Sequence, residues 1–543
     1  MHLTAGVRVI LTLRSGYGYT TTTSIRPICP LGEQLRVPSN LWRSHTDTTC
    51  GIHVCAVRTY SHLQSLGRTN ANAKNCPDSR VASLTSCGKE MMSSFNKATT
   101  DSSVFRILDY DCVGFDLDNT LGEYNITPSV ETEYNILANY LVKEKGYDPD
   151  FLLKPLNEDS IDFLQKGLFV DFARGNIIKI TENGVISRAS HGSKMMSHEE
   201  IKNAYGKDRK WEVTNELCQN MLVGWNGPLS ERIRALLDYF DRPASIAFAR
   251  IVDSLDDKLG KPADVYNVWP DVLAGLHDMY DREHFASEEG GYFKEIKSNP
   301  GKFLKPCSPE TIKWLKEIKQ TKLTYLITGS NCDFASLTAE TVLGKDWRSL
   351  FDIVVCYARK PAFFTGCRPF IELDGFKETE PVSNNSIKLG SMYNQGNWQE
   401  LYQLFAKTSG IQKPRCLYFG DNLVQDIYTP SKFTKCETVA VVEELKAETD
   451  RNHNGYLGEH PSHHVVTSKS WGSYFYDDKE NMNTLWGSIL HKHANICVPS
   501  LSVLAQYPLS HEFNTFEKCY GGGYFPSRPS HGPPVTEKKV RAV

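Results

Sequence analysis

The chain has 543 residues, and this length allows two or three domains with a large apolar core that needs no disulfide or metal support. Its formal net charge is only −3, whereas binding nucleic acid through a basic surface requires clustered Lys and Arg, so we expect no nucleic-acid partner. No stretch reaches the roughly 20 apolar residues that cross a bilayer, so we also expect no membrane partner.

The N-terminal region differs in composition from the rest of the chain. Its arginines stand among Ser and Thr, and few acidic residues precede Lys89. This composition is typical of a transit peptide. A disordered or spurious extension is the alternative, with translation starting at Met91 or Met92. We treat residues 1–104 as an N-terminal extension and expect a cytoplasmic protein, or a mitochondrial one if the extension is a transit peptide.

From residue 110 onward, short apolar runs alternate with amphipathic helical stretches. This alternation predicts an α/β fold with an open, doubly wound parallel sheet. One helix is predicted in detail, with Ser308 as its N-cap and Pro309 at the first helical position. The predicted strands are residues 112–115, 323–327, 351–356, 416–419 and 438–442.

The first predicted strand is far from the second along the chain. About 200 residues separate Thr120 from Thr328, which is too many for one crossover connection. A second domain must therefore be inserted after the first strand. The predicted parts are a core of residues 105–130 and 301–500, an inserted domain of residues 131–300 and a C-terminal tail of residues 501–543.

Polar residues follow the predicted strands, at the sheet edge where open parallel sheets bind ligands. Asp116 and Asp118 come directly after the first strand, and side-chain alternation in an extended segment puts both carboxylates on one side. Such a pair is weak on its own, because many acidic pairs only solvate a turn or cap a helix. Thr328 and Ser330 follow the second strand, with hydroxyl and backbone N–H groups suited to a phosphate. The alternative is an N-cap for a helix that starts near Asn331.

Two further strand ends carry charged residues. Lys360 follows the third strand and could place a compact cation against phosphoryl charge, or it is a surface lysine before a proline. Asp421 and Asp426 follow the fourth strand after a glycine turn. Acidic groups in that place suggest a hard cation held by oxygen ligands.

The order of these residues resembles the four motifs of the haloacid-dehalogenase (HAD) superfamily. Three longer segments are similar to the cytosolic purine (IMP-GMP) 5'-nucleotidase family. They are residues 116–120 (Asp-Leu-Asp-Asn-Thr), 358–364 (Ala-Arg-Lys-Pro-Ala-Phe-Phe) and 418–426 (Tyr-Phe-Gly-Asp-Asn-Leu-Val-Gln-Asp). The resemblance covers residues 105–500 and implies a HAD-like core with a large cap domain inserted after the first motif.

The resemblance also implies a mechanism through an aspartyl-phosphate. Asp116 would be the nucleophile, and Asp118 would act as general acid and then general base. Thr328 and Lys360 would hold the phosphoryl oxygens as charge redistributes in the transition state.

The implied cofactor is Mg²⁺. Its ligands would be the Asp116 carboxylate, the Asp118 backbone carbonyl and Asp421. Asp426 would orient this site or bind the metal through water.

The cap would recognise the leaving group. Residues 190–194 (Ser-His-Gly-Ser-Lys) and the helix-like stretch 271–280 resemble nucleotide-contacting segments of the purine enzymes, which carry an aromatic residue where Ser193 stands here. His191 and Tyr280 could equally pack within the cap. The candidate substrate-binding residues are Ser330, His191, Lys194, His277 and Tyr280.

We therefore predict a Mg²⁺-dependent phosphomonoester hydrolase, a 5'-nucleotidase that acts on a small phosphorylated metabolite such as a nucleoside monophosphate. Two alternatives stay open. One is a HAD-fold binding or scaffold protein with little turnover, since a fold alone does not establish activity. The other is a phosphotransferase that passes the phosphoryl group to a nucleoside. A homo-oligomer is also left open.

Overall fold

The computed structural model describes residues 9–14, 20–25, 104–225, 227–382, 386–450, 468–516 and 522–529. The chain divides into two compact units, Met1–Lys97 and Ala98–Val543. In the first unit, strands Val9–Arg14 and Thr20–Ile25 pair antiparallel. Most of the predicted N-terminal extension therefore lies outside the described residues.

The strands of the two larger sheets in the second unit are numbered in chain order. They are β1 (Cys112–Phe115), β2 (Leu168–Asp171), β3 (Asn176–Ile180), β4 (Ile186–His191), β5 (Lys194–Met195), β6 (Ile233–Leu236), β7 (Leu323–Ile327), β8 (Ile353–Cys356), β9 (Phe370–Asp374), β10 (Lys377–Pro381), β11 (Met392–Gln395), β12 (Cys416–Gly420), β13 (Cys436–Val441) and β14 (Ile496–Val498). Three two-residue pairs lie outside these sheets: Val104–Phe105 with Phe513–Asn514, Glu123–Tyr124 with Leu304–Lys305, and Tyr476–Asp477 with Met482–Asn483.

The longer helices connect and cover these strands. They are α1 (Ile126–Lys145), α2 (Pro243–Leu259), α3 (Trp269–Met279), α4 (Pro309–Thr321), α5 (Cys332–Leu343), α6 (Trp398–Ser409) and α7 (Leu485–His493). Shorter helices span Pro149–Leu152, Glu158–Ile161, His198–Tyr205, Glu212–Gln219, Leu222–Trp225, Arg282–Ser287, Gly291–Ser298, Pro300–Phe303, Ala362–Thr365, Thr429–Phe433, Glu444–Asp450 and Leu501–Leu504. Single 3₁₀ turns span Ile107–Asp109, Asp162–Leu164, Pro228–Glu231, Tyr239–Asp241 and Trp347–Leu350, and Leu423–Tyr428 is a π-helical turn. Within the described ranges, none of the helices combines the length and the apolar character that a bilayer span requires.

The central sheet has nine strands among the described residues, in the order β10-β9-β11-β8-β7-β1-β12-β13-β14. The neighbouring strands β11, β8, β7, β1, β12, β13 and β14 all run parallel. Strands β9 and β10 add an antiparallel hairpin at one edge. β1 lies between β7 and β12, so the carboxyl ends of these three strands lie side by side. The predicted α/β fold with a large, mostly parallel sheet is confirmed.

Aromatic rings pack against the middle of this sheet. Phe115 stacks on Phe419 with ring centroids 5.0 Å apart, and Trp314 of α4 contacts both rings edge-on. All three residues are at most 2% exposed. Burial of large rings is strongly stabilising, so the strand ends that carry the polar residues rest on a tightly packed base.

The predicted elements agree closely with the observed ones. Two predicted strands match fully, and the other three differ by one or two residues at one or both ends. Helix α4 begins as predicted, because Pro309 is its first residue and the Ser308 side chain accepts a hydrogen bond from the Thr311 backbone N–H. Strands β11 and β14 were not predicted, because they are short and lack a long apolar run.

Residues 131–300, called the insertion below, contain the second sheet. Its strands are antiparallel and follow the order β6-β2-β3-β4-β5. Helix α1, which begins just before the insertion, packs against α2 and α3. The insertion also contacts residues 443–450 and 468–490, together called the C-terminal segment below. For example, Lys179 Nζ donates to the carbonyl oxygens of Trp471 and Ser473 at 2.6 and 2.5 Å.

The described part of the predicted C-terminal tail packs on the core. The rings of Phe513 and Phe105 have centroids 5.9 Å apart, and the hydroxyl of Tyr524 lies 3.3 Å from His491 Nε2. Aromatic side chains give this segment apolar surface to bury. Residues 501–516 and 522–529 of the predicted tail therefore contact the core through aromatic side chains.

Candidate active site

Three polar residues each take the first position after one of three neighbouring strands. Asp116 follows β1, Thr328 follows β7 and Asp421 follows β12. The Asp116 backbone N–H donates to the carbonyl oxygen of Phe419 at 2.8 Å, which extends the pairing of β1 with β12 by one residue. Because the strands are parallel, these residues meet at one sheet edge.

Lys360 reaches this edge from the loop after β8. Its Nζ lies 2.8 Å from Asp116 Oδ1 and 2.7 Å from Asp426 Oδ1, and its side chain is 3% exposed. Burial alone would lower the pKa of Lys360, but attraction to Asp116 and Asp426 outweighs it and raises the pKa above the ordinary value. Lys360 is therefore a buried, charged bridge between two carboxylates, which excludes the alternative of a surface lysine.

The loop that carries Lys360 has an unusual backbone. Tyr357 and Arg359 have φ angles of 46° and 54°, in the left-handed region. Such conformations cost free energy in residues other than glycine and persist where surrounding contacts enforce them. One such contact is the Tyr357 backbone N–H, which donates to the carbonyl oxygen of Ser330 at 2.8 Å. This bond fixes the Lys360 loop to the segment that follows β7.

Asp116, Asp421 and Asp426 form a cluster of buried carboxylates. One oxygen from each lies within 4.8 Å of the other two. Burial, with added repulsion from the other carboxylates and partial relief from Lys360, raises the pKa of Asp116 well above its ordinary range. Burial also raises the pKa of Asp421 to about 6. Crowded carboxylate oxygens are the ligands that hard divalent cations prefer, so this donor set fits Mg²⁺.

The turn after β12 places Asp426 beside Asp421. The Asn422 side chain accepts hydrogen bonds from the two backbone N–H groups at positions 424 and 425, and its own backbone N–H donates to Asp426 Oδ2 at 3.1 Å. A Cβ atom on Gly420 would lie only 2.3 Å from the Cβ of Asp426. Glycine is therefore required at position 420 for the chain to turn back this tightly.

Asp118 accepts hydrogen bonds on both carboxylate oxygens. Tyr124 donates to Oδ1 at 2.8 Å and Ser330 donates to Oδ2 at 2.6 Å, while the Thr328 hydroxyl lies 3.4 Å from Oδ2. Burial and the charge of Asp118 raise the pKa of Tyr124 well above its ordinary value, so its hydroxyl stays protonated and can donate. These hydroxyls fix the orientation of the Asp118 carboxylate.

A second lysine reaches the cluster from the insertion. Lys166 Nζ lies 3.2 Å from Asp421 Oδ2, and the two side chains are 1% and 5% exposed. Burial opposes the charged form of Lys166, but attraction to Asp421 and Glu444 outweighs burial and raises its pKa. The insertion thus contributes a cation to the strand-end site.

The structure does not bring His191 or Lys194 to the carboxylate cluster. Both ring nitrogens of His191 have partners within the insertion: Nδ1 lies 2.8 Å from Asn176 Oδ1, and Nε2 lies 2.9 Å from Asp256 Oδ2 and 3.0 Å from the Tyr266 hydroxyl. Lys194 is exposed on β5. The contacts of His191 favour the packing alternative, and substrate binding by either residue stays a prediction.

Tyr280 is linked to the site through the rings of Phe240 and Tyr124. Its ring packs edge-on against Phe240, which contacts the ring of Tyr124, and Tyr124 binds Asp118. His277 is half-buried, and burial, with repulsion from Arg234, lowers its pKa. A role for Tyr280 or His277 in substrate binding stays a prediction.

Among the described residues, sequence reasoning missed three side chains that contact the predicted site. They are Tyr124, Lys166 and Tyr418. The Tyr418 hydroxyl lies 3.3 Å from Lys360 Nζ and donates to the carbonyl oxygen of Ile327 at 2.8 Å. A hydroxyl on an otherwise apolar strand could have indicated Tyr418. Lys166 is 255 residues from Asp421, so no local pattern could have indicated it.

Comparison with known proteins identifies the family. The model of the 5' nucleotidase family matches residues 104–457. Human 5'-nucleotidase domain-containing protein 1 is 34% identical over 455 residues, which cover 78% of this chain and 96% of that protein. The Bos taurus protein of the same name is 34% identical over 448 residues, with the same coverage. Human 5'-nucleotidase domain-containing protein 2 is 25% identical over 351 residues, 63% of this chain and 62% of that protein.

These matches confirm the resemblance to 5'-nucleotidases that the motifs predicted, including the similarity to 5'-nucleotidase domain-containing protein 1. The chain belongs to the 5' nucleotidase family and is an enzyme of the phosphatase class.

Proposed function

We propose that the chain is a Mg²⁺-dependent phosphomonoester hydrolase, a 5'-nucleotidase that works through an aspartyl-phosphate. The observation that carries the proposal is the position of Lys360, whose ammonium group bridges Asp116 and Asp426 beside Asp421. Carboxylates outnumber cations in this buried cluster. Such an excess of buried negative charge destabilises the fold unless the site binds a ligand. Membership of the 5' nucleotidase family supports the proposal.

Asp116 is the proposed nucleophile. Its carboxylate would bond to phosphorus as the ester P–O bond breaks, and water would then hydrolyse the acyl phosphate. Lys360 lies close enough to Asp116 to hold the phosphoryl oxygens during both steps.

The carboxylates of Asp116 and Asp421 and the backbone carbonyl of Asp118 would hold Mg²⁺. Asp426 would orient this site or act as a ligand through water, and its bond to Lys360 fits the orienting role. The bound cation would offset the negative charge that otherwise repels a phosphate dianion.

Asp118 is the proposed general acid and base. It would protonate the leaving ester oxygen and later deprotonate the attacking water. Tyr124 and Ser330 hold its two oxygens in a fixed direction, which keeps the proton close to the reacting atoms. Thr328, at the end of β7, would bind a phosphoryl oxygen.

We further propose that the fold is HAD-like and that the insertion is its cap. A cap over the phosphate excludes water and supplies the surface that recognises the leaving group. Because the relatives carry the name 5'-nucleotidase, a nucleoside monophosphate is the proposed substrate class. Tyr280 and Phe240, which connect to Asp118 through Tyr124, are better placed than His191 to meet the leaving group.

The test is phosphate release by the full chain from a panel of nucleoside monophosphates and sugar phosphates, with and without Mg²⁺. We expect turnover of at least one substrate that requires Mg²⁺ and that falls to background in Asp116→Asn. The matched control is Asp352→Asn, which changes a carboxylate at the opposite end of the sheet, where it pairs with Lys319.

A folded chain that releases no phosphate across the panel would contradict the proposal and favour the scaffold alternative. A new monophosphate that forms when excess nucleoside is added would instead identify phosphotransfer.

A further inference from the structure

The insertion buries two lysines, Lys166 and Lys179, and they have different partners. Lys179 donates to backbone carbonyl oxygens of the C-terminal segment. Lys166 donates to a carboxylate of the proposed metal site, Asp421 Oδ2, at 3.2 Å. A neutral carbonyl partner serves packing, whereas the carboxylate partner places a full positive charge beside the reacting groups.

The position of Lys166 is fixed by both of its chain neighbours. Gln165 Nε2 donates to the carbonyl oxygen of Gly472 at 3.1 Å. Gly167 makes two backbone hydrogen bonds. Its carbonyl oxygen accepts from Trp486 Nε1 at 2.8 Å, and the Gly167 N–H donates to the carbonyl oxygen of Leu236 at 2.7 Å. A Cβ atom on Gly167 would lie 2.3 Å from Trp486 Nε1, so only glycine allows this approach. Three consecutive residues thus hold the ammonium group against Asp421.

The surroundings of Lys166 show why its charge persists. Its Nζ lies 5.1 Å from the centroid of the Tyr239 ring. The charged groups that act on it are Asp421, Glu444 and Asp238, which favour the ammonium form, and Arg242, which opposes it. Lys166 and Asp421 form a buried ion pair with Nζ and Oδ2 3.2 Å apart, which places a positive charge at the site.

Charge balance gives this cation a role. Asp116, Asp118, Asp421 and Asp426 bring four carboxylates to the strand ends, and Lys360 neutralises part of their charge. A phosphate dianion adds two further negative charges to this site. At the short distances involved, one unit of positive charge changes the interaction with a dianion by more than the free energy of a tenfold affinity change, even at an effective dielectric constant of about 20.

We propose that Lys166 is a positioning residue that holds Asp421 and supplies, from the insertion, the positive charge that lets the carboxylate cluster accept a phosphate dianion. This inference rests on the proposed function. It predicts opposite effects on two ligands: removing the charge weakens phosphate binding and strengthens Mg²⁺ binding. Structural damage would instead weaken both.

The experiment is isothermal titration calorimetry on the full chain, first with Mg²⁺ alone and then with inorganic phosphate at saturating Mg²⁺. In Lys166→Met we expect phosphate to bind about tenfold more weakly and Mg²⁺ about tenfold more tightly than in the wild type. Lys166→Arg, which keeps the charge, should bind both ligands much as the wild type does. The matched control, Lys179→Met, should lower thermal stability and leave both dissociation constants unchanged.

If Lys166→Met does not fold, Lys166→Gln carries the test, because it keeps a hydrogen-bond donor for Asp421 without the charge. If the affinities for Mg²⁺ and phosphate fall together, or if neither changes, the inference is overturned and the proposed function still stands. A wild-type chain that binds neither Mg²⁺ nor phosphate would overturn the proposed function and this inference with it.

Discussion

The molecule buries charged side chains in two regions and balances them differently. At the strand ends, the carboxylates of Asp116, Asp421 and Asp426 crowd together around Lys360. At the interface between the insertion and the C-terminal segment, buried charged groups have partners of opposite charge or neutral hydrogen-bonding partners. Arg242, for instance, pairs with Glu444 at 2.8 Å with both side chains fully buried.

The two regions differ in how their buried charges affect the free energy of unfolding. In a matched buried pair, each charge offsets the cost of burying the other. Removing one partner destabilises the fold, because the remaining charge is left buried and unpaired. A crowded set of buried like charges destabilises the fold and is typical of a site that binds a ligand. The interface therefore has the character of a structural contact, and the strand ends have the character of a binding site.

The largest expected effect tests the interface. Arg242→Met leaves Glu444 buried without its partner, and removal of one member of a buried pair costs about 3–5 kcal/mol of unfolding free energy. Urea unfolding measures the loss. The control is Arg232→Met, whose partner Glu212 is 69% exposed, and which should change stability little. Equal effects of the two variants would contradict the distinction.

The second prediction concerns Glu448, which accepts hydrogen bonds from the Ser473 hydroxyl and the Tyr474 backbone N–H. Burial raises its pKa to about 7 from an ordinary value of 4.5. Between these values the folded chain binds a proton that the unfolded chain does not, so this contribution to stability is present below pH 4.5 and lost as the pH rises through 7.

Glu448→Gln cannot titrate, so it should become more stable relative to the wild type by about 3 kcal/mol between pH 4.5 and 7. Urea midpoints of both proteins across this range measure the difference. A constant difference across the range would show that Glu448 keeps an ordinary pKa.

The third prediction sharpens the role of the strand-end site. Tyr124→Phe removes the hydroxyl that orients Asp118, the proposed general acid. Proton donation matters most for poor leaving groups, so kcat should fall about tenfold for a nucleoside monophosphate. It should fall much less for p-nitrophenyl phosphate, whose leaving group needs little protonation. The same loss on both substrates would indicate general damage to the site.

The smallest expected effect is an increase in the free energy of unfolding. Asp116→Asn removes one of the crowded charges, so in the absence of Mg²⁺ the variant should be more stable than the wild type by about 1 kcal/mol. Added Mg²⁺ should raise the melting temperature of the wild type more than that of the variant, because a ligand stabilises only the state that binds it. Destabilisation of the metal-free variant would show that Asp116 contributes to packing as the interface residues do.

Much of the strand-end site could be predicted from sequence. Asp116, Thr328 and Asp421 each stand directly after an apolar run, and the rule that parallel strands present their carboxyl ends at one edge brings them together. The structure places Lys360 and Asp426 in the same cluster. The helix signal at Ser308 was equally local, because a capping hydroxyl and a proline at the first position are sufficient to define it.

The remaining site residues depend on tertiary structure. Nothing in the sequence distinguishes Lys166, which contacts Asp421 only because the insertion packs beside it. Tyr124 contacts Asp118 only because the chain turns back after the first strand. For His191 the sequence left substrate binding and packing both open, and hydrogen bonds to Asn176 and Asp256 favour packing. Residues of the insertion are selected by packing as well as by substrate, and sequence alone does not separate the two.

The hydrogen bond from Trp486 to Gly167 joins positions 319 residues apart. During synthesis the insertion must therefore wait for helix α7 to leave the ribosome before it gains this anchor. The central sheet waits as well, since β1 pairs with β12 only after most of the chain has been made. Such late, long-range closure slows folding and exposes apolar strands meanwhile, which creates a demand for chaperones. A nascent chain halted before α7 would contain every motif residue and still lack the partner that holds Lys166 against Asp421.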